Sequence, residues 1–471
     1  MSPVCGVGGS GDPPDGTAAP SINPRARTAW VRRLAGEVDV LVLGSGAREH
    51  ALAWRLARDE GVRRVRVAPG NGGTAAVGAS VDLDSSDPLA VVRHAARERY
   101  DLVVIGPEAP LAAGVADELA SARIPVFGPM RAAARLESSK AFAKRQMERA
   151  GVPTAPSATF SDPDAAVDHV RSSERPPVVK ADWLAAGKGV VVSDTHGEAE
   201  AAVRDLFVAV APGARVVLEE RLQGTEVSAF ALVSDATVVP LAAARDYKRL
   251  ADGDAGPNTG GMGAFAPVPW FGGEALERAA AEVFEPIAWR MARDGTPYRG
   301  VLYAGLMLTD EGPVVLEFNA RFGDPEAQVL LPLLAGELSA ALLGVATADR
   351  SLMEESVRPA DGAAVGVVVA SENYPEAPIT GRRIEGAEPS SASDDGDVLV
   401  FHAATRRLAD GAFETTGGRV ATIVGRGPSL ADARAVAYRG VAEVRLEGAQ
   451  HRSDVGTLHV GDGQELRDET G

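Results

Sequence analysis

Runs rich in β-branched and other apolar residues occur at 38–43, 62–67, 102–105 and 124–127. Each leads into Gly, Pro or Asn and is read as a strand. Between them, 47–57 carries an apolar stripe at helical spacing, and 111–122 reads as another helix. Alternation of strand and helix predicts an α/β class with a parallel sheet, whose ligands gather at the carboxyl ends of the strands. Those ends carry the polar loops 44–50 (GSGAREH), 69–73 (PGNGG) and 106–111 (GPEAPL). The first Gly-x-Gly alone would also suit a nicotinamide cofactor, but polar loops at successive strand ends favour a crevice for a small ligand.

The pattern then changes. The run 138–140 (SSK) adjoins a helical segment, and 151–156 (GVPTAP) marks a boundary. From about 158 to 222 the chain has its own strand, loop and helix pattern, as a small mobile subdomain would. It includes an apolar strand ending in lysine at 177–180 (PVVK) and a strand ending in acids at 215–220. The runs 301–308 and 314–318 read as a hairpin, and 362–370, 398–401 and 420–424 as a small α+β unit. Residues 1–37, rich in Gly, Pro, Ala and Ser, show no periodicity and read as a disordered extension. The expected division is 1–37, 38–138, 139–354 and 355–467, with no internal repeat.

Composition narrows the function. A chain of 471 residues is too long for one core, and a formal charge of −17 disfavours a general nucleic-acid or membrane-surface binder, so anionic ligands need local positive sites. Cys5 is the single cysteine, which excludes an intrachain disulfide framework and a Cys-based zinc site. No apolar run is long enough to span a bilayer, and the first residues lack the apolar core of a secretory signal. A cytoplasmic location is expected.

The chemistry concentrates where the strand at 314–318 ends. Glu317 and Asn319 lie two apart, so a strand points both to one face, a donor pair suited to a hard cation carrying triphosphate. Arg321 continues the alternation with a planar fork for carboxylate or phosphoryl oxygens. Alone, such a strand end is more often a solvated turn. Elsewhere, the loop 185–190 (AAGKGV) offers backbone NH groups and Lys188 to phosphate, without P-loop spacing. Glu219 and Glu226 are placed to accept hydrogen bonds from an adenine amino group and ribose hydroxyls. The runs 244–249 (ARDYKR) and 256–263 (GPNTGGMG) add acids, bases and a Gly-rich turn.

In this order, lysine strand, Gly loop, acidic hinge strand and E-x-N, the segments resemble the ATP-grasp fold. With 44–51 (GSGAREHA), 69–73, 106–111, 136–142 (LESSKAF), 180–182 (KAD), 184–190, 256–264, 303–306 (YAGL) and 317–326 (EFNARFGDPE), the chain more closely resembles the phosphoribosylamine-glycine ligase family from about 38 to about 456. That resemblance implies a biotin-carboxylase-like N-terminal domain, an ATP-grasp domain with a lid, and a small C-terminal domain. It implies ligation of glycine to 5-phosphoribosylamine in purine biosynthesis, driven by ATP through glycyl phosphate, with Mg²⁺ or Mn²⁺. It assigns Glu317 and Asn319 to the metal, and Lys140, Lys180, Gly187, Lys188, Gly189, Glu219 and Glu226 to the nucleotide. Arg48, Glu49, Asn71, Gly72 and Glu108 fall on the phosphoribosylamine side. Asp246, Lys248, Asn258, Thr259, Gly260 and Asp324 complete the pocket where glycine and amine meet, and Lys188, Arg321 and Asp324 carry the chemistry. Its partners are small molecules, with neither nucleic acid nor membrane, and the chain is expected to act as a monomer or weak homodimer.

The chain departs from the family pattern in places. Trp183 stands where K-A-D-G is usual, and Asn373 where a glycine precedes Tyr-Pro. The strand at 303–306 also lacks the second metal carboxylate of many grasp enzymes. Other readings are a related carboxylate-amine ligase, a non-catalytic nucleotide binder and a nicotinamide oxidoreductase.

Overall fold

The structure is a computed structural model that describes residues 38–184, 189–208, 213–393 and 396–458. Its first unit is a parallel sheet of β1 (Val38–Gly44), β2 (Val62–Pro69), β3 (Ala79–Ser80), β4 (Leu102–Ile105) and β5 (Val126–Phe127), in the order β3-β2-β1-β4-β5. Strand order reverses between β1 and β4, so a crevice opens at their carboxyl ends. Helix α1 (Ala47–Leu56) begins there and buries Leu52, Trp54 and Leu56. Instead of one helix over 111–122 there are two, α2 (Glu108–Ala113) and α3 (Val115–Ser121), because Gly114 takes φ +89° and ends the first. Helices α4 (Arg131–Ser138) and α5 (Lys140–Ala150) meet at Ser139, whose hydroxyl caps α5 by accepting from Phe142 N.

A second, antiparallel sheet holds β6 (Ser157–Phe160), β7 (Val178–Ala181), β8 (Val190–Val191) and β9 (Val216–Glu219), in the order β6-β9-β7-β8. It has its own apolar cluster, in which Val179, Val216 and Leu218 pack on Ala166, Val170, Ala199 and Val203 of the helices Pro163–Ser172 and His196–Val208.

The largest sheet among the described residues has eight strands. Its grasp half comprises β10 (Thr225–Asp235), β11 (Thr237–Asp246), β14 (Gly263–Ala266), β15 (Tyr298–Thr309) and β16 (Gly312–Asn319), β15 and β16 being the expected hairpin. The short ladder of β12 (Arg249–Ala251) and β13 (Ala255–Asn258) stands apart from it. The sheet continues through β17 (Ala363–Ala370), β18 (Val398–His402) and β19 (Arg419–Gly427), in the order β16-β15-β10-β11-β14-β17-β19-β18. The C-terminal strands thus extend the central sheet, joined by pairs such as Gly263 with Val367. No helix among the described residues is long and apolar enough to cross a membrane.

Candidate active site

Strand β16 carries Glu317 and Asn319 on one face, opposite Gly305 and Tyr303 of β15. Lys140, the first residue of α5, reaches Glu317 Oε2 at 2.5 Å. Burial pushes the Glu317 carboxyl up, but Lys140, Lys248 and Lys180 outweigh it and hold the group far below the usual carboxylate range. Burial likewise opposes the charge on Lys140, and Glu317 more than restores it, raising the lysine. Asn319 Oδ1 accepts from Arg321 Nη2 at 3.2 Å. Among the described residues no group of three His, Cys, Asp or Glu could enclose a metal. One carboxylate with one amide oxygen instead fits a hard cation whose remaining ligands are phosphate oxygens and water.

Behind this face lies a buried ion triad. Lys180 of β7 is 2.6 Å from Glu219 Oε2 and donates to Leu316 O at 3.0 Å, touching the strand that bears Glu317. The other Glu219 oxygen is 2.8 Å from Lys144, which also donates to Thr154 Oγ1 and Ala155 O. The Glu219 carboxylate therefore pairs with two lysines here, sharing one negative charge between them, and one of the two was overlooked by sequence reasoning. Lys144 stands one helical turn beyond Lys140, and that i, i+4 spacing was its signal. Glu226 pairs with Lys248, which also lies 3.8 Å from Asp246. Burial first, then the charges of Glu326 and Glu317, raise the Asp246 carboxyl well above its ordinary value.

Arg321 links this cluster to the first sheet. Its guanidinium is 2.9 Å from Glu137 and 3.6 Å from Glu108, and these acids outweigh the cost of burial so that its charge is held more firmly than usual. Glu137, also overlooked although it belongs to the LESSK run, accepts from Ala320 N at 2.8 Å; burial raises its carboxyl. Arg48 donates to Glu49 at 2.6 Å and to Phe322 O at 3.1 Å. Glu49 accepts from Gly46 N at 2.6 Å and lies between Gly44 and Gly106, where a Cβ on either would fall within 2.5 Å of its side chain. The amide of Asn71 is occupied in shaping its own loop, donating to His402 O and Ser45 O and accepting from Gly73 N. Gly72 donates to Thr405 O.

The Gly-rich turn closes the other side. Asn258 donates to Val190 O, next to the Gly loop, and the Thr259 hydroxyl donates to Lys248 O. The Asp324 carboxylate accepts from Gln328 at 2.7 Å and pairs with Arg419 at 3.0 Å. Gly189 donates no side chain but its carbonyl accepts from Ala181 N at 2.7 Å. Gly187 and Lys188 lie outside the described residues. Asp182 accepts from Ser139 Oγ and Ala141 N and pairs with Arg215 at 2.6 Å, so the residue before the half-buried Trp183 is fixed. Asn373 takes φ +64°, the conformation a glycine would otherwise supply.

Comparisons with known proteins identify the family and the fold. Family models described as phosphoribosylglycinamide synthetase match as its N domain at 38–137, its ATP-grasp domain at 138–327 and its C domain at 364–458. The phosphoribosylamine-glycine ligase of Streptomyces coelicolor is 48% identical over 422 residues, covering 90% of this chain and 99% of that one. A solved phosphoribosylamine-glycine ligase from Thermotoga maritima is 35% identical with a TM-score of 0.75, covering 88% of this chain and 100% of its own. The biotin carboxylase domain of the Hydrogenobacter thermophilus 2-oxoglutarate carboxylase, solved with MgADP, ADP and bicarbonate, covers 88% of this chain and 91% of that one. Its TM-score of 0.66 at 16% identity supports a shared fold. The chain is a multidomain ATP-grasp protein and belongs to the phosphoribosylamine-glycine ligase family.

Proposed function

We propose that this chain ligates glycine to 5-phospho-D-ribosylamine, giving the ribosyl glycinamide, ADP and phosphate, in purine biosynthesis. The observation that carries the reading is the single site in which Lys140, Lys180, Glu317 and Asn319 meet Arg321, whose other contacts reach Glu108 at the first sheet. A carboxylate is a poor electrophile for an amine, so glycine is first phosphorylated on a carboxylate oxygen, and phosphate then leaves as the amine attacks the acyl carbon. Lys140 and Lys180 hold positive charge at the triphosphate, with Lys188 and the backbone of Gly187 and Gly189 closing over it. Glu219 fixes both Lys180 and Lys144, and with Glu226 it borders the adenosine side. Glu317 and Asn319 would hold Mg²⁺ or Mn²⁺, which when bound offsets the charge of the transferring phosphoryl.

Arg321 orients the glycine carboxylate and its phosphorylated form through its planar fork. Arg48, Glu49, Asn71, Gly72 and Glu108 form the phosphoribosylamine side. Asp246, Lys248, Asn258, Thr259, Gly260 and Asp324 border the place where acyl phosphate and amine meet. The 158–222 segment acts as a lid that keeps water from the acyl phosphate. The chain works in the cytoplasm as a monomer or weak homodimer.

The test is ADP release with ATP, Mg²⁺, glycine and freshly generated phosphoribosylamine, each omitted in turn, with the product weighed by mass spectrometry. Equal amounts of glycinamide product and ADP, requiring every component, are expected. Turnover with a different amino acid or amine, and none with this pair, would overturn the assignment in favour of a related ligase.

A further inference from the structure

The turn at Gly260–Gly261 is gripped by residues from the far end of the chain. Gly260 N donates to Tyr374 OH at 3.0 Å, while Arg419 Nη1 donates to Gly260 O at 2.6 Å. The same guanidinium donates to Asp324 O at 2.8 Å and pairs through Nη2 with Asp324 Oδ2 at 3.0 Å. The two turns are packed together as well as bonded. A Cβ on Gly260 would stand 3.0 Å from Arg419 Cζ, and one on Gly261, where φ is +108°, would stand 2.5 Å from Pro325 Cδ. Asp324 Oδ2 in turn lies 3.5 Å from where a Cβ on Gly46 would be, beside the loop of the first sheet. Arg419 opens strand β19, which belongs to the C-terminal part of the central sheet. It carries none of the motifs by which the site is legible.

We propose that Arg419 is a positioning residue for the amine side of the pocket: it locks the Gly260–Gly261 turn to the Asp324–Pro325 turn, with Tyr374 as its second anchor. A lysine can supply the charge to Asp324 but not the fork that bonds both turns at once. The inference rests on the proposed ligation for its kinetic consequence and on geometry alone for its structural one, so the two are tested separately. The first readout is hydrogen exchange of the full-length protein without substrates. In Arg419→Ala, amides of 259–262 are expected to exchange roughly ten-fold faster or more, while β1 and β4 remain unchanged. Tyr374→Phe, which removes one hydroxyl, is expected to speed exchange at Gly260 by about three-fold. It serves as the deciding variant should Arg419→Ala fail to fold.

The second readout is kinetic. Arg419→Ala should raise KM for phosphoribosylamine roughly ten-fold while KM for ATP stays within about two-fold, with partial rescue in Arg419→Lys. Unchanged protection of the turn in Arg419→Ala, or in Tyr374→Phe if the first variant does not fold, overturns the proposal. So does a kinetic loss shared equally by ATP and the amine. If exchange rises as stated but wild-type protein makes no glycinamide product, the positioning role stands and the proposed ligation fails.

Discussion

Glu219→Gln preserves the shape of a buried side chain and removes the one charge that two lysines share. Lys144, Lys180 and Glu219 are each less than a tenth exposed, and the ammonium groups stand 2.8 and 2.6 Å from opposite oxygens of the carboxylate. Removing one partner of a buried pair costs about 3–5 kcal/mol when the other is stranded. Here neither is wholly stranded, because Lys144 keeps Thr154 Oγ1 and Ala155 O, and Lys180 keeps Leu316 O. The expected cost is therefore about 2 kcal/mol. It falls where β7 and β9 adjoin α5 and β16, so it should show as local opening of that joint. Hydrogen exchange of amides in Val178–Ala181 and Val216–Glu219 should accelerate roughly thirty-fold, the equivalent of about 2 kcal/mol. Saturating ATP with Mg²⁺ should narrow the gap, because phosphate oxygens restore negative charge near Lys180. Exchange within about two-fold of wild type, or a rise spread equally over β1 and β4, would refute the claim that this triad holds the joint.

The other predictions use different parts of the site. Glu317→Ala should lower ligation by about a thousand-fold or more while the protein stays folded, since Glu317 is the carboxylate of the proposed metal-donor pair; normal turnover would remove it from that role. His50, fully buried, is pushed down to about 3 from 6.5 by burial and then by His402, and its Nδ1 accepts from His402 N. It stays neutral in the fold while the unfolded chain takes up a proton below 6.5, so its contribution is complete above that pH and is lost as pH falls toward 3. Between pH 6.5 and 5 the loss is about 1.7 kcal/mol, and His50→Asn should flatten the stability profile by that amount; parallel wild-type and variant profiles would contradict it. Because Asp182 is already fixed by Ser139, Ala141 and Arg215, Trp183→Gly should change kcat/KM for ATP by less than about five-fold; a larger drop would mean that the indole covers the nucleotide.

Much of the fold was legible because its strands are short apolar runs closed by residues that cannot continue them. The runs at 38–43, 102–105 and 314–318 emerge as β1, β4 and β16 within a few residues of their expected ends. Strands β10 and β11 were not foreseen. The pattern of β10 is almost continuously apolar in Val227–Val233, and such a run does not distinguish a central strand from a buried helix. The break at Gly114 was missed for another reason: Gly inside a helical pattern is ambiguous until its φ is known. Within the site, β16 displays Glu317 and Asn319 by simple alternation, so their common face could be read directly. Glu219 could be read only as an acid at a strand end, since its partner Lys144 is fixed by tertiary packing.

The connections that assemble the site are the least legible, because many end on backbone carbonyls, which place no demand on residue type. Arg48 donates to Phe322 O, 274 positions away, and Asn71 to His402 O, 331 positions away. Any residue at 322 or 402 offers the same acceptor, so nothing in the local sequence marks the pairing. These bonds also bear on which part moves. The first sheet is tied to the loop after β16 through Arg48, and to the C-terminal strands through Asn71 and Gly72. The β6-β9-β7-β8 sheet has its own core, meets the central sheet through Lys180 to Leu316 O, with Asn258 to Val190 O on the Gly-rich turn, and is tied to α5 and its cap by Glu219 to Lys144 and by Asp182 to Ser139 and Ala141. The first unit carries further ties in Arg55 to Leu334 O and Gly336 O and in Ser339 N to Asp59, so the proposed closure over nucleotide would rearrange fewer polar contacts at the β6-β9-β7-β8 sheet. In the proposed mechanism the first sheet would serve as the preformed wall, and the lysine-bearing sheet would be the part that closes onto it.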